Sequence, residues 1–158
     1  MKNKNFFYLQ YDRVNWQNQE KTKINAFVND YIIGEIVAKK DCSDIKVFDI
    51  GFGIGFFMKM LYRRLSNACK KMVIAGCEPS EKNYQFFAKK HLKVRKGVEI
   101  ETYNSTFLNV KTDQKFDFIT AIYVFPHFVQ DELDATVKKI SSMLEQEGQF
   151  VLVVANEA

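Results

Sequence analysis

The sequence predicts an α/β protein with a doubly wound, mostly parallel sheet in strand order 3-2-1-4-5 and helices on both faces. Two observations support this prediction. Short apolar runs alternate along the chain with segments in which apolar residues recur at helical spacing. One apolar run also leads directly into three closely spaced glycines, Gly51, Gly53 and Gly55, which is typical of a tight corner between a strand and a helix. Right-handed crossovers and the position of this corner favour the stated strand order.

The first half of the predicted sheet surrounds the glycine corner. Helical spacing of apolar residues over 21–39 predicts a helix with one apolar face. The strand predicted at 45–50 shows little alternation, as expected of a central parallel strand that is covered on both faces. After the corner, an apolar stripe predicts a helix from Phe56 to about Ser66.

The next segments predict two strands separated by a helix. The apolar run 72–77 predicts the second strand, and Pro79 ends it. Ser80 is a natural N-cap for a helix that continues to about Leu92. The segment 98–103 alternates between apolar and polar residues, which suits an edge strand.

The last segments predict the remaining strand–helix–strand unit. The fourth strand spans 116–124, and Pro126 excludes its continuation as a central strand. A helix then begins near Gln130, with Gly148 as its C-terminal cap. The fifth strand follows at 150–155.

Length and composition predict one domain over residues 1–158, with the aromatic-rich residues 1–20 as an N-terminal arm or lid. The chain is 47% hydrophobic, which favours a packed core, and no apolar run approaches the roughly 18 residues that a membrane helix needs. The net charge of +4 is mild and gives no strong indication of nucleic-acid binding. Three scattered cysteines form no disulfide framework, so we predict reduced thiols and a cytoplasmic location.

The acidic residue Asp49, two positions before Gly51, indicates which ligand the corner favours. A carboxylate there would repel a pyrophosphate by about 4 kcal/mol for unit charges about 4 Å apart at an intermediate dielectric. The same charge would attract a cation. The pattern therefore favours a cationic ligand that carries a ribose but no phosphate, and it disfavours a nicotinamide dinucleotide.

These residues resemble a known family. The run D-I-G-F-G-I-G at 49–55 resembles the first motif of class I S-adenosylmethionine-dependent methyltransferases, and the resemblance extends through 76–80, 116–121 and 147–151. It implies a Rossmann-like fold, S-adenosylmethionine as cofactor and methyl transfer as activity. It says little about the acceptor, for which we predict a small molecule.

The resemblance also assigns cofactor-binding residues. Asp49 is implied to hold the methionine amino group, and the three glycines of the corner are implied to let the backbone pass beneath the ligand. Glu78, followed by Pro79, lies about 20 residues after the corner, where an acid accepts hydrogen bonds from the ribose hydroxyls. The alternative for Asp49 and the three glycines is an ordinary strand–helix turn without a ligand. The alternative for Glu78 is a solvated acid at the start of a helix.

The loop over 104–115 departs from the family pattern. The family often carries an acid here that binds the adenine amino group, whereas this chain offers Ser105 or Thr106 as hydrogen-bonding groups and Phe107 as a stacking partner.

Tyr123 and His127, at the end of the fourth strand, are the predicted catalytic residues. Tyr123 would line the transfer site and His127 would act as a general base, whose ordinary pKa lies near neutrality. A core tyrosine and a structural histidine are the respective alternatives. Tyr11 and Trp16 would either close a lid over the cofactor or serve only as packing residues of the domain. No metal site is predicted, because His91 and His127 are the only histidines and no carboxylate cluster accompanies them.

The sequence contains no segment for the two further strands with which the family sheet normally ends. This predicts an exposed edge at the fifth strand, which proteins usually cover. A dimer, a partner chain or the N-terminal arm would then cover it, and the chain would be a fragment or a minimal form. The alternative function is a non-catalytic S-adenosylmethionine-binding or scaffold module that needs a partner chain or a missing C-terminal segment.

Overall fold

A computed structural model describes residues 23–39, 43–89, 94–128 and 130–155 of the chain. Its helices are α1 (Lys23–Lys39), α2 (Phe56–Leu65), α3 (Glu81–Lys89) and α4 (Gln130–Met143). Its strands are β1 (Asp44–Ile50), β2 (Lys71–Cys77), β3 (Val98–Tyr103), β4 (Phe116–Ile122) and β5 (Leu144–Val153). Short 3-10 turns lie at Phe107–Asn109 and Phe125–His127.

The strands form one sheet in the order β3-β2-β1-β4-β5, and every pairing between neighbours is parallel. The predicted fold class is therefore confirmed. Central β1 pairs with β2 on one side and with β4 on the other. The carboxyl ends of these three strands consequently meet at one edge of the sheet, which is where ligands bind in open α/β sheets.

Two hydrophobic clusters cover the two faces of the sheet. The first cluster joins Val47 of β1 to side chains of α1, α2 and α3, including Ile36, Leu61 and Phe87. The second joins Phe48 of β1 to Phe107 and to the α4 residues Ile140 and Met143. Because successive side chains of a strand point to opposite faces, α4 lies across the sheet from the other three helices.

The end of β4 differs from the prediction. The strand stops at Ile122 rather than residue 124, and Tyr123 adopts a left-handed conformation with φ of 58°. Few non-glycine residues take this conformation, which turns the chain away from the sheet. The backbone N–H of Tyr123 still donates to the carbonyl of Val153, at 2.9 Å, so the neighbouring strand holds the turn in place.

The end of α4 and the start of β5 were also predicted wrongly. Helix α4 ends at Met143, and Leu144 already pairs with Phe116. The register then shifts, so that Phe118 pairs with Gln149. Gly148 is consequently not a helix cap. It lies in this irregular stretch, where a Cβ atom would come within 2.9 Å of backbone atoms and only glycine fits.

Some predictions fall outside the described residues, namely the arm at 1–20 with Tyr11 and Trp16, and the predicted role of His91. Within the described ranges, no helix has the length and apolar character that a membrane crossing requires. In the described sheet β5 is an outer strand, and its predicted partner stays a prediction.

Candidate functional site

A crevice opens at the carboxyl ends of β1, β2 and β4. Counted with its open mouth, it encloses about 670 Å³ of space between the surrounding residues. Its lining comes from four parts of the chain: the end of β1, the end of β2, the loop after β3, and the segment from β4 into α4. These residues are Ile50, Gly51, Cys77, Glu78, Pro79, Thr106, Phe107, Leu108, Val124, His127, Phe128 and Glu132.

The glycines of the corner have different structural tasks. Gly51 (φ 66°) lines the crevice, and a Cβ atom there would lie 2.7 Å from a methyl group of Val124. Gly55 (φ 76°) precedes α2, and its Cβ would lie 2.1 Å from the ring of Phe87. Gly53 (φ 57°) also requires the left-handed conformation. Of the three, Gly51 is the one that can bring the backbone close to a ligand in the crevice.

Glu78 both lines the crevice and connects two loops. Its side chain is buried, and its two carboxylate oxygens accept hydrogen bonds from the backbone N–H groups of Gly53 (2.9 Å) and Ser80 (2.8 Å). These bonds tie the glycine corner to the N-terminus of α3. A carboxylate offers about four acceptor positions, so the same group is suited to receive ligand hydroxyls as well.

Asp49 does not line the crevice. It is 3% exposed, and its Oδ1 accepts a hydrogen bond of 2.7 Å from the Thr120 hydroxyl of β4. Because Val47, two positions earlier, points toward α1–α3, the Asp49 side chain points toward the same face. The carboxylate therefore lies beneath the glycine corner, and Thr120 is a partner that the sequence did not indicate.

The wall formed by the loop after β3 is apolar. Thr106, Phe107 and Leu108 line the crevice, whereas Ser105 does not; its buried hydroxyl finds no hydrogen-bond partner in the described structure. Phe107 is almost completely buried and contacts the ring of Phe48, at 5.8 Å between centroids. Phe107 therefore offers a ligand a fixed surface rather than an adaptable one.

Lys139 of α4 holds this wall in position. Its ammonium group donates to the carbonyls of Leu108 (2.9 Å) and Val110 (2.5 Å) and lies 5.3 Å from the centre of the Phe107 ring. Partial burial lowers the pKa of Lys139, and the Cys77 thiol opposes that shift. The sequence did not reveal Lys139, because a lysine on a helix usually belongs to a solvated surface.

The segment after β4 supplies His127 but not Tyr123 to the crevice. Partial burial lowers the pKa of His127, so its imidazole is neutral near pH 7. Glu132, in the first turn of α4, also lines the crevice. Sequence reasoning missed Glu132, because acids are common in the first turn of any helix.

Cys77 forms part of the buried floor of the crevice. Burial is the main cause that raises the pKa of its thiol to about 12, outweighing the opposing hydrogen bond from the backbone of Gly51. The thiol is therefore protonated at neutral pH and is a poor nucleophile. Among the described residues, no group of three or more His, Cys, Asp or Glu side chains is arranged to hold a metal ion.

A family model described as a methyltransferase domain matches residues 47–148, which is more than half of the chain. The chain belongs to this methyltransferase domain family. The matched segment begins in β1 and ends in the irregular part of β5, so it contains the glycine corner and the residues that line the crevice.

A curated relative, an uncharacterized methyltransferase of Oceanobacillus iheyensis, is 29% identical over 123 residues. The match covers 77% of this chain and 51% of the relative, so the chain spans about half the length of the relative.

Two solved structures of named enzymes share the fold. Magnesium protoporphyrin IX methyltransferase of Synechocystis, with bound S-adenosylmethionine, superposes with a TM-score of 0.73 at 17% identity, covering 99% of this chain and 78% of that one. The cyclopropane synthase MmaA2 of Mycobacterium tuberculosis superposes with a TM-score of 0.68 at 16% identity, covering 81% of this chain and 41% of that one.

Proposed function

We propose that the domain binds S-adenosylmethionine in the crevice and transfers its methyl group to a small-molecule acceptor. The observation that carries this proposal is the buried Glu78 carboxylate at the end of β2, beside the apolar wall that contains Phe107. A carboxylate next to an apolar slot matches the two halves of a nucleoside, since ribose hydroxyls donate hydrogen bonds and a base needs an apolar surface.

The lining residues fit the cofactor as follows. Glu78 would accept hydrogen bonds from the ribose, while Pro79, Phe107 and Leu108 would contact the base. Gly51 would allow the ligand to lie close to the backbone. Asp49, beneath the corner, would add a negative charge that favours a cation above it. The bound cofactor would supply an activated methyl group.

His127 is the residue that we assign to proton transfer. Its imidazole borders the crevice and is neutral near pH 7, so it is able to accept a proton from an acceptor that enters beside it. Tyr123 has a positioning role in this proposal, because its left-handed backbone directs the chain that carries Val124 and His127.

A small acceptor is supported by the name of the magnesium protoporphyrin IX methyltransferase, which specifies a small molecule as the acceptor of that neighbour. Phe128 and Val124 contribute apolar surface to the lining. The acceptor would therefore have an apolar body that packs against these side chains.

Calorimetric titration with S-adenosylmethionine, S-adenosylhomocysteine and NADH tests the cofactor assignment. We expect the first two to bind and NADH not to bind. Leu108→Glu places a charge in the wall that would face the base, and should weaken S-adenosylhomocysteine binding at least about tenfold. Val137→Glu, at an exposed position of α4, is the matched control and should leave the affinity unchanged. Equal affinities of the two variants would contradict the proposal.

A further inference from the structure

One aromatic residue of the crevice lining, Phe128, keeps accessible surface. Two phenylalanines occur among the described lining residues, Phe107 and Phe128. Phe107 is only 2% exposed and packs against Phe48, so most of its surface is already covered. Phe128 is partly exposed and lies in the segment between β4 and α4. Phe128 therefore offers a ligand more aromatic surface than Phe107 does.

A row of three aromatic rings fixes the orientation of Phe128. Its ring meets that of Phe125 in a T-shaped contact, with 5.3 Å between the centroids and 68° between the planes. Phe125 in turn packs against Phe150 of β5, with 5.6 Å between the centroids. Both separations are those of favourable aromatic pairs. The Phe128 ring is thus supported by contacts that extend to the sheet.

The backbone of the same segment is also held in place. The N–H groups of His127 and Phe128 donate to the carbonyls of Val124 (2.9 Å) and Phe125 (3.1 Å), which closes the 3-10 turn. A side chain that is already ordered in the folded protein loses little freedom when a ligand binds. The Phe128 ring is consequently a pre-oriented flat surface at the lining of the crevice.

The proposed position of the cofactor leaves Phe128 to the acceptor. The residues proposed to contact the base, Pro79, Phe107 and Leu108, come from the end of β2 and the loop after β3. Phe128 instead follows His127, the residue that we assign to proton transfer, and both of them line the crevice. An acceptor that delivers its proton to His127 would therefore have Phe128 beside it.

We infer that Phe128 selects an acceptor with a flat aromatic ring, which packs on the Phe128 ring next to His127. This inference rests on the proposed function, because it concerns the acceptor end of the same crevice. An aliphatic acceptor would gain only buried apolar area at this position, and a leucine would serve it equally well. An aromatic acceptor gains in addition the contact between two rings, which corresponds to about two- to tenfold in affinity.

Two uncharged probes with the same number of non-hydrogen atoms, benzyl alcohol and cyclohexylmethanol, test this inference. Each is titrated into the full chain saturated with S-adenosylhomocysteine, and binding is followed by nuclear magnetic resonance. The saturated ring is the more hydrophobic of the two, so burial of apolar area alone would favour cyclohexylmethanol. We expect benzyl alcohol to bind at least about threefold more tightly instead.

Three variants locate this preference. Phe128→Leu should remove it, whereas Phe128→Tyr retains an aromatic ring and should retain the preference. Phe27→Leu is the matched control, because it makes the same change at a 73% exposed position of α1 outside the described lining, and it should leave the ratio of affinities unchanged. Thermal unfolding of the three variants verifies that they are folded.

Three results would overturn the inference: cyclohexylmethanol binding as tightly as benzyl alcohol, an undiminished preference in Phe128→Leu, or binding of neither probe at about 10 mM, about the weak limit for such small ligands. Loss of S-adenosylhomocysteine affinity by about tenfold or more in Phe128→Leu would also overturn it, because Phe128 would then contact the cofactor. Failure of S-adenosylhomocysteine to bind the unchanged chain would instead overturn the proposed function, so the two failures are distinguishable.

Discussion

Replacing Glu78 by glutamine should destabilise the domain strongly, although the side chain keeps its size. Glu78 is 1% exposed, and its two carboxylate oxygens accept hydrogen bonds from the backbone N–H groups of Gly53 (2.9 Å) and Ser80 (2.8 Å). A carboxamide has a single oxygen, so one N–H keeps a neutral acceptor and the other faces an NH₂ group. Weakening the first bond costs about 1 kcal/mol, and leaving the second donor without an acceptor costs about 1–3 kcal/mol.

The expected loss in free energy of unfolding is therefore about 3 kcal/mol, which corresponds to a decrease in Tm of about 6–12 °C for a domain of this size. Urea denaturation followed by circular dichroism measures the loss, and differential scanning calorimetry measures Tm. Glu81→Gln is the control, because Glu81 is exposed in the first turn of α3; it should change stability by less than about 0.5 kcal/mol. If the two variants unfold at the same urea concentration, Glu78 does not brace the glycine corner.

Three further predictions concern the glycine corner, the crevice wall and the proton acceptor. Gly55→Ala should lower the free energy of unfolding by about 2–4 kcal/mol, because Gly55 has φ of 76° and a Cβ there would lie 2.1 Å from the Phe87 ring. Gly34 lies inside α1, and a Cβ there would meet no neighbouring atom within 4 Å. Gly34→Ala should therefore raise the free energy of unfolding by about 0.5–1 kcal/mol. Urea denaturation measures both, and a change of the same sign in both would contradict the packing argument. Lys139→Met should lower the free energy of unfolding by about 2 kcal/mol, since two loop carbonyls lose a charged donor. It should also weaken S-adenosylhomocysteine binding in calorimetry, and an unchanged affinity would show that Lys139 does not position the crevice wall. His127 has its pKa lowered by burial, so its neutral form is favoured in the folded state; stability should fall as pH decreases from about 6.5 toward the folded-state pKa, because the unfolded chain binds the proton first. Methyl transfer, followed by mass spectrometry, should decrease at lower pH, as the pH passes through the folded-state pKa and the His127 imidazole becomes protonated. His127→Gln should lower the rate and remove this pH dependence, and a variant that keeps the dependence would contradict the assignment.

The strands and their order were predictable because the relevant signals are local. Central strands such as β1 are continuous apolar runs, and the glycine corner fixes where the first crossover begins. The junction of α4 and β5 was not predictable in the same way. Gly148 has the residue type of a helix cap, but its role depends on the backbone of Phe116 and Glu145, which only the folded sheet brings near.

The candidate site was predictable to a similar extent. The residues that belong to the glycine corner and to the end of β2 could be identified, since their spacing along the chain reflects one strand–loop–helix unit. Lys139 and Glu132 could not, because each contributes through a contact between distant segments. The burial of Asp49 beneath the corner depends on Thr120 of a neighbouring strand, which no spacing in the sequence indicates.

A crystal structure of the chain with S-adenosylhomocysteine tests the central claim most directly. We expect the ribose hydroxyls within hydrogen-bonding distance of the Glu78 carboxylate and the base against Phe107 and Leu108, at the carboxyl ends of β1 and β2. A nucleoside bound elsewhere on the domain, or a dinucleotide whose diphosphate lies across Gly51, would contradict the assignment of this crevice as a methyl-donor site.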